Sequence, residues 1–227
     1  MLHKFDSPSQ PITRVQRNIL AAAERRLLTW LCARMPMWVT PDLLTAVGMA
    51  GAAAVFAGYA ASNWHVGWLW LAIGGFAVQW FGDSMDGSLA RFRKIERPSF
   101  GYFIDHSCDG LANLLIMAGI GLSPFVRLDV ALFALTGYLL LSIHAFLSVR
   151  VLGEMKLSYI AAGPTELRLM LIALTLAMMA VGTGARALSP VSGFDVVIGC
   201  AGAILLVLFL VQTLVASRRL LARGESD

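Results

Sequence analysis

The stretch FGDSMDGSLARFRKIERPSFGYFIDHSCDG, from Phe81 to Gly110, sets four aspartates between hydrophobic flanks: Asp83, Asp86, Asp105 and Asp109. Asp83 and Asp86 are three apart, and Gly87 and Ala90 continue their face, so a helix aligns them in one stripe. Gly101, Asp105 and Asp109 follow at intervals of four and form a second stripe, each step rising about 6 Å. The segment between the stripes is basic and contains Pro98. It lets the two helices run antiparallel, so that the stripes face each other and four carboxylates converge on one pocket.

The flanks say what surrounds that pocket. Of 227 residues, 58% are hydrophobic and only 14% charged, with a mean hydropathy of +0.72. A soluble domain usually carries about 25% charged residues. The deficit predicts an all-α integral membrane protein. Apolar runs near the ~20 residues that span a bilayer recur at Leu43–Ser62, Val66–Gly82, Tyr102–Leu122, Leu128–Val149, Leu167–Gly184 and Phe194–Val215. Sixteen of the eighteen Lys and Arg residues fall before the first span, after the last, or in alternate loops; Arg127 and Arg186 fall on the other side. By the positive-inside rule, both termini and the aspartate pocket are expected in the cytoplasm.

Ahead of the first span, Ile12, Val15, Ile19, Ala23, Leu27, Trp30 and Leu31 recur at helical spacing, with arginines on other faces. This predicts an amphipathic helix over residues 12–35, lying on the cytoplasmic leaflet or packed on protein. Residues 1–11 read as a polar tail, 36–217 as one six-span domain, and 218–227 as a cytoplasmic tail. The first 35 residues lack the compact apolar core of a signal peptide. In TPDLLT, Thr40 or Asp42 is placed to cap the first span and Pro41 to open it. The small residues of GMAGAAAVFAG (Gly48–Gly58) permit close helix packing. Cys32, Cys108 and Cys200 are scattered and read as reduced, space-filling residues. The net charge of +4, biased to one face, suits anionic lipid headgroups and implies no nucleic-acid partner.

Four converging carboxylates need a cation. Each Asp at a helix centre costs about 2.5–3.5 kcal/mol on insertion scales, and mutual repulsion adds to this. All-oxygen ligation suits a hard divalent ion such as Mg²⁺, Mn²⁺ or Ca²⁺. Pairing with Arg91 and Arg93 is the structural alternative, but two guanidiniums do not satisfy four carboxylates.

The spacing D-x2-D-G-x2-A-R-x9-G-x3-D-x3-D resembles the signature of the CDP-alcohol phosphotransferases, with Asp83, Asp86, Gly87, Ala90, Arg91, Gly101, Asp105 and Asp109 on pattern. The gap between Arg91 and Gly101 is one residue longer than usual. The resemblance implies a membrane transferase of substituted phosphate groups in phospholipid synthesis. A hydroxyl attacks the pyrophosphate of a CDP-alcohol and CMP leaves. It further implies that Asp83, Asp86, Asp105 and Asp109 hold Mg²⁺ or Mn²⁺, as one ion or two. Asp83, Gly87, Ala90, Arg91 and Gly101 would meet the CDP moiety. Spacing does not distinguish Asp105 from Asp109 as the base; the resemblance assigns the role to Asp109.

Pro41 and Thr45 are similar to residues at the start of the family's first span, with Asp42 in place of the usual asparagine. His106, Lys156, Glu166 and Arg168 are further candidates for substrate contact, whereas His144 is expected to bond between helices. The compact six-span chain resembles the branch that transfers a phosphatidyl group from CDP-diacylglycerol to a small polar alcohol or alcohol phosphate. DHSCD (Asp105–Asp109) and Thr165-Glu166 resemble the branch that transfers a headgroup from CDP-choline or CDP-ethanolamine to diacylglycerol. In either, donor or acceptor is a membrane lipid, and the small-residue faces allow a homodimer. A cation transporter, the rival class, would show broken helices and an inverted repeat; the sequence has neither.

Overall fold

The computed structural model describes residues 21–152, 163–182 and 191–224, and the regular structure among them is helical. The elements are α1 (Ala21–Cys32), α2 (Pro41–Ala61), α3 (Leu69–Arg93, entered through a 3-10 turn at Val66–Trp68), α4 (Pro98–Leu122), α5 (Leu128–Leu152), α6 (Pro164–Val181) and α7 (Gly193–Gly224). Each expected span overlaps one of the six helices after α1, although α3 runs on to Arg93, eleven residues past the expected end at Gly82. By length and composition, α2, α5, α6 and α7 are each apolar enough to cross a membrane. The other two, α3 and α4, carry the four aspartates, and these carboxylates lower their hydropathy. The fold is that of an integral membrane all-α protein.

The helix ends follow local rules. Thr40 caps α2, accepting from Leu43 N at 3.2 Å, and Pro41 takes the first helical position. Asp42 instead pairs with Arg97 across the mouth of the bundle. Lys94 closes α3 in the left-handed region with φ 57°, and Pro98, expected in a loop, opens α4. Arg93 donates to the carbonyls of Val39, Met35 and Pro36, tying the α1–α2 link to the end of α3. At the opposite end Asp195 accepts from the backbone N–H groups of Ser192 and Arg127, each at 2.7 Å, which joins the start of α7 to the start of α5. Helix α7 continues through Arg218 and Arg219 to Gly224, beyond the expected boundary at 217.

Packing is closest between α2 and α3, then between α5 and α7, with α4 laid on α2. Glycines bring α2 and α3 together: a Cβ on Gly82 would lie 2.3 Å from Gly48 N and 2.5 Å from Leu44 O, and one on Gly51 only 2.4 Å from Gln79 N. The GMAGAAAVFAG face therefore packs, as expected. Below this seam Tyr59, Leu69, Phe76 and Ile120 are fully buried, and Tyr59 shares a 2.6 Å hydrogen bond with Thr175 of α6. His144 reaches Ser148 at 3.2 Å and Thr213 of α7 at 3.3 Å, the expected interhelical role.

Helix α1 docks on this frame. Cys32 packs with Val39, Leu44, Met85 and Leu89, while Leu27 and Trp30 stay exposed. Its Glu24 accepts from Trp80 Nε1 of α3 and Thr165 Oγ1 of α6, both at 2.9 Å. The described part of the amphipathic helix thus bridges two membrane helices, packing Leu28, Leu31 and Cys32 inward and leaving Leu27 and Trp30 outward.

Gly82→Ala is expected to lower stability by about 1–3 kcal/mol, the usual cost of overpacking, because the new methyl meets backbone atoms that cannot swing aside. Gly74→Ala is the control: nothing lies within 4 Å of its Cβ position, so helix propensity favours that change. Thermal unfolding in detergent compares the two. Equal melting temperatures would mean that the glycine seam is not close-packed.

Candidate active site

The two stripes meet. Asp83 and Asp86 on α3 and Asp105 and Asp109 on α4 line one small cavity of about 10 Å³, closed by Thr45 and Gly48 of α2 among others. That volume holds about one water-sized particle. Asp83, Asp105 and Asp109 also line a cavity of about 1370 Å³ framed by α1, α3, α4, α5 and α6. Three of the carboxylates therefore form the wall between an ion-sized space and a substrate-sized one.

Each aspartate has its own setting. Asp86 accepts from Thr45 Oγ1 at 2.6 Å and from Gly87 N at 2.5 Å, so one carboxylate oxygen is held from α2 and the other by its own helix. Asp83 takes a 2.5 Å ion pair from Arg168 of α6, an arginine only 13% exposed. Asp105 and Asp109 flank His106, whose Nδ1 lies 3.9 and 3.7 Å from their oxygens. One ligand atom from each of these three residues falls within 4.8 Å of the other two.

Arg91 and Arg93 do not supply the counter-charge. Arg91 bonds Ser88 at 3.3 Å and points into the large cavity, and Arg93 serves backbone carbonyls. Among the described residues the guanidinium on the cluster is that of Arg168. The four carboxylates thus gather around a space the size of one ion. The donor set of carboxylates and a hydroxyl fits a hard divalent cation.

The remaining expected contacts separate into groups. Gly87 is close to the Arg91 guanidinium, 3.3 Å from the position a Cβ would take, and Gly101 faces open space; Ala90 lies on the same helix, one turn below Lys94. Thr45 orients Asp86 and Pro41 starts α2; neither lines the large cavity. Glu166 closes the first turn of α6, accepting from Gly163 N at 2.9 Å, and its other oxygen is buried without a partner among the described residues. His106 is clasped by rings, with Tyr102 at 4.3 Å and Phe146 at 5.0 Å between centroids. Lys156 lies outside the described residues.

Two residues of the site were not foreseen. Glu24 lines the large cavity from α1; its signal was a lone acid on a basic amphipathic helix. Gln79 lines the small one; its signal was a polar residue exactly one helical turn before Asp83, inside an apolar run.

The large cavity is amphiphilic. Arg25, Arg91, Arg168 and Ser88 contribute polar walls, whereas Leu111, Leu114, Ile143 and Leu167 line it and are also 43–52% exposed on the helix surfaces. A molecule seated there can place charge at the carboxylates and hydrocarbon towards the bilayer.

The sequence model of the family described as CDP-alcohol phosphatidyltransferase matches residues 38–217. Over 101 residues the chain is 36% identical to an archaetidylinositol phosphate synthase of Methanothermobacter thermautotrophicus, covering 44% of this chain and 49% of that protein. It is 32% identical over 105 residues to the archaetidylinositol phosphate synthase of Pyrococcus horikoshii, covering 46% and 52%. With cholinephosphotransferase 1 of Danio rerio it shares 28% over 123 residues, covering 48% and 32%. The similarity thus spans about half of these relatives' length, or less.

Proposed function

Since the chain belongs to the CDP-alcohol phosphatidyltransferase family, we propose that it transfers a phosphatidyl group from a CDP-linked lipid such as CDP-diacylglycerol to a small polar alcohol or alcohol phosphate, releasing CMP. One observation carries this reading: three of the four aspartates lie between an ion-sized cavity and an amphiphilic one. A lipid-linked nucleotide needs both kinds of space.

Asp83, Asp86, Asp105 and Asp109 would hold one or two divalent ions, Mg²⁺ or Mn²⁺. Bound there, such an ion supplies charge neutralisation at the pyrophosphate. The acceptor oxygen forms a bond to the phosphorus on the non-cytidine side, the bond to the CMP oxygen breaks, and Asp109 takes the hydroxyl proton. Arg91 contacts phosphate. Thr45 and the Gly87 N–H fix Asp86. Arg168 holds Asp83 with one of its five N–H donors, leaving others for an acceptor phosphate. The bias of Lys and Arg to alternate loops supports a cytoplasmic active site.

A second reading has its own observation. Tyr102, His106 and Phe146 cluster beside two carboxylates, a combination that suits a quaternary ammonium and so headgroup transfer from CDP-choline or a similar donor. A donor panel with purified protein decides between them. CDP-diacylglycerol with pooled polar acceptors should release CMP, while CDP-choline and CDP-ethanolamine with diacylglycerol should not. The reverse pattern would establish the second reading, and no CMP from any donor would reject both.

A further inference from the structure

The side chain at the floor of the ion-sized cavity has no assigned role. Gln79 sits one turn deeper than Asp83 on α3 and is 5% exposed. Its Oε1 is buried without a hydrogen-bond partner among the described residues. The glycine seam packs the backbone of Gln79 against Gly51, and Gln79 lines the small cavity with the four aspartates. The non-acidic walls around it are Thr45, Gly48, Met49, Cys108 and Ala112, and the Thr45 hydroxyl already donates to Asp86. A buried carbonyl oxygen with no donor is rare in folded proteins, and an unseen ion is one of its standard explanations. Carboxamide oxygens are ordinary ligands for hard divalent ions.

We propose that Gln79 supplies its side-chain oxygen as an uncharged ligand to the divalent cation held by the aspartates. The inference rests on the metal-binding reading of the cluster and adds one ligand to it, from below. A neutral fifth group fits the site physically. Four carboxylates already oversupply charge, so a further acid would raise repulsion, whereas a carbonyl oxygen completes coordination without it. It also ties the ion to the α2–α3 seam.

The test is calorimetric titration of the metal-stripped full-length protein in detergent with Mn²⁺ alone, with no substrate present. Gln79→Met preserves the volume and removes the oxygen; it is expected to bind Mn²⁺ about tenfold or more weakly while melting near the wild-type temperature in the metal-free state. Gln79→Glu keeps an oxygen and adds charge; it is expected to shift Mn²⁺ affinity by about threefold or more in the tighter direction at pH 8. This second variant carries the test if Gln79→Met does not fold. Wild-type affinity in Gln79→Met, or an unchanged affinity in Gln79→Glu, overturns the proposal. Asp86→Asn is the reference arm: if it too binds like the wild type, the aspartate site itself is wrong, and if it alone is impaired, only the role of Gln79 falls.

Discussion

Asp109→Asn is expected to reduce CMP release by about 10²–10⁴, the usual contribution of a positioned base, while leaving donor binding largely intact. Asp109 lines both cavities, so its carboxylate can reach an acceptor hydroxyl in the larger one. Its helix is steady at this point, since Asn113 donates back to the Asp109 carbonyl at 2.8 Å. The substitution keeps one oxygen and the shape but removes the basic site. Asp83 and Asp86 differ: their carboxylates are tied to Arg168 and Thr45. Asp83→Asn and Asp86→Asn should weaken metal and donor binding together, because the charge that holds a divalent ion is reduced. Donor titration in Mg²⁺ beside CMP-release rates measures both quantities on one preparation. Donor binding lost in Asp109→Asn as fully as in Asp83→Asn would make Asp109 a ligand first. More than about a tenth of wild-type turnover remaining would move the base elsewhere.

Removing divalent ions should have an effect at least as large. With EDTA, CMP release is expected to fall to background and to return on adding Mg²⁺ or Mn²⁺. The cause lies in the charge of the site: four carboxylates line one small cavity, and a CDP donor brings further negative charge. Without a cation, donor and site repel. The same charge gives a readout free of turnover. Anything that binds the folded state alone stabilises it by RT ln(1 + [L]/Kd), about 2.7 kcal/mol at a hundredfold excess over Kd. Mg²⁺ or Mn²⁺ should therefore raise the melting temperature of the stripped protein, and Asp86→Asn should blunt the rise. Full activity in EDTA would exclude a metal-dependent reaction at this cluster.

The two prospective donors share this chemistry and differ in which partner is the lipid. The apolar walls at Leu111, Leu114, Ile143 and Leu167 accommodate an acyl chain in either case. What separates the donors is the polar lining of the cavity, whose arginines favour a phosphate and whose His106 and Phe146 favour an ammonium.

Local periodicity made the six membrane-length helices, the two aspartate stripes and the capping of α2 by Thr40 legible in the sequence. Residues three and four apart share a helix face whatever the partners are, and the four carboxylates could meet only if the stripes faced each other. The glycines of α2 were legible as a packing face for the same reason. Tertiary structure decided the rest. Arg168 lies 85 residues from Asp83 and reads in sequence as a loop cation or phosphate contact; only the placement of α6 against α3 makes it the counter-ion. Gln79 reads as an ordinary polar residue in a span until the seam turns it into the small cavity. Glu24 gains its role only when α1 docks on α3 and α6. The rotation of one helix against another is set by atoms such as Gly82 and Gly48 touching across the interface. Such contacts have no fixed spacing along the chain, so the pattern that reveals a stripe cannot reveal which residue of a distant helix will meet it.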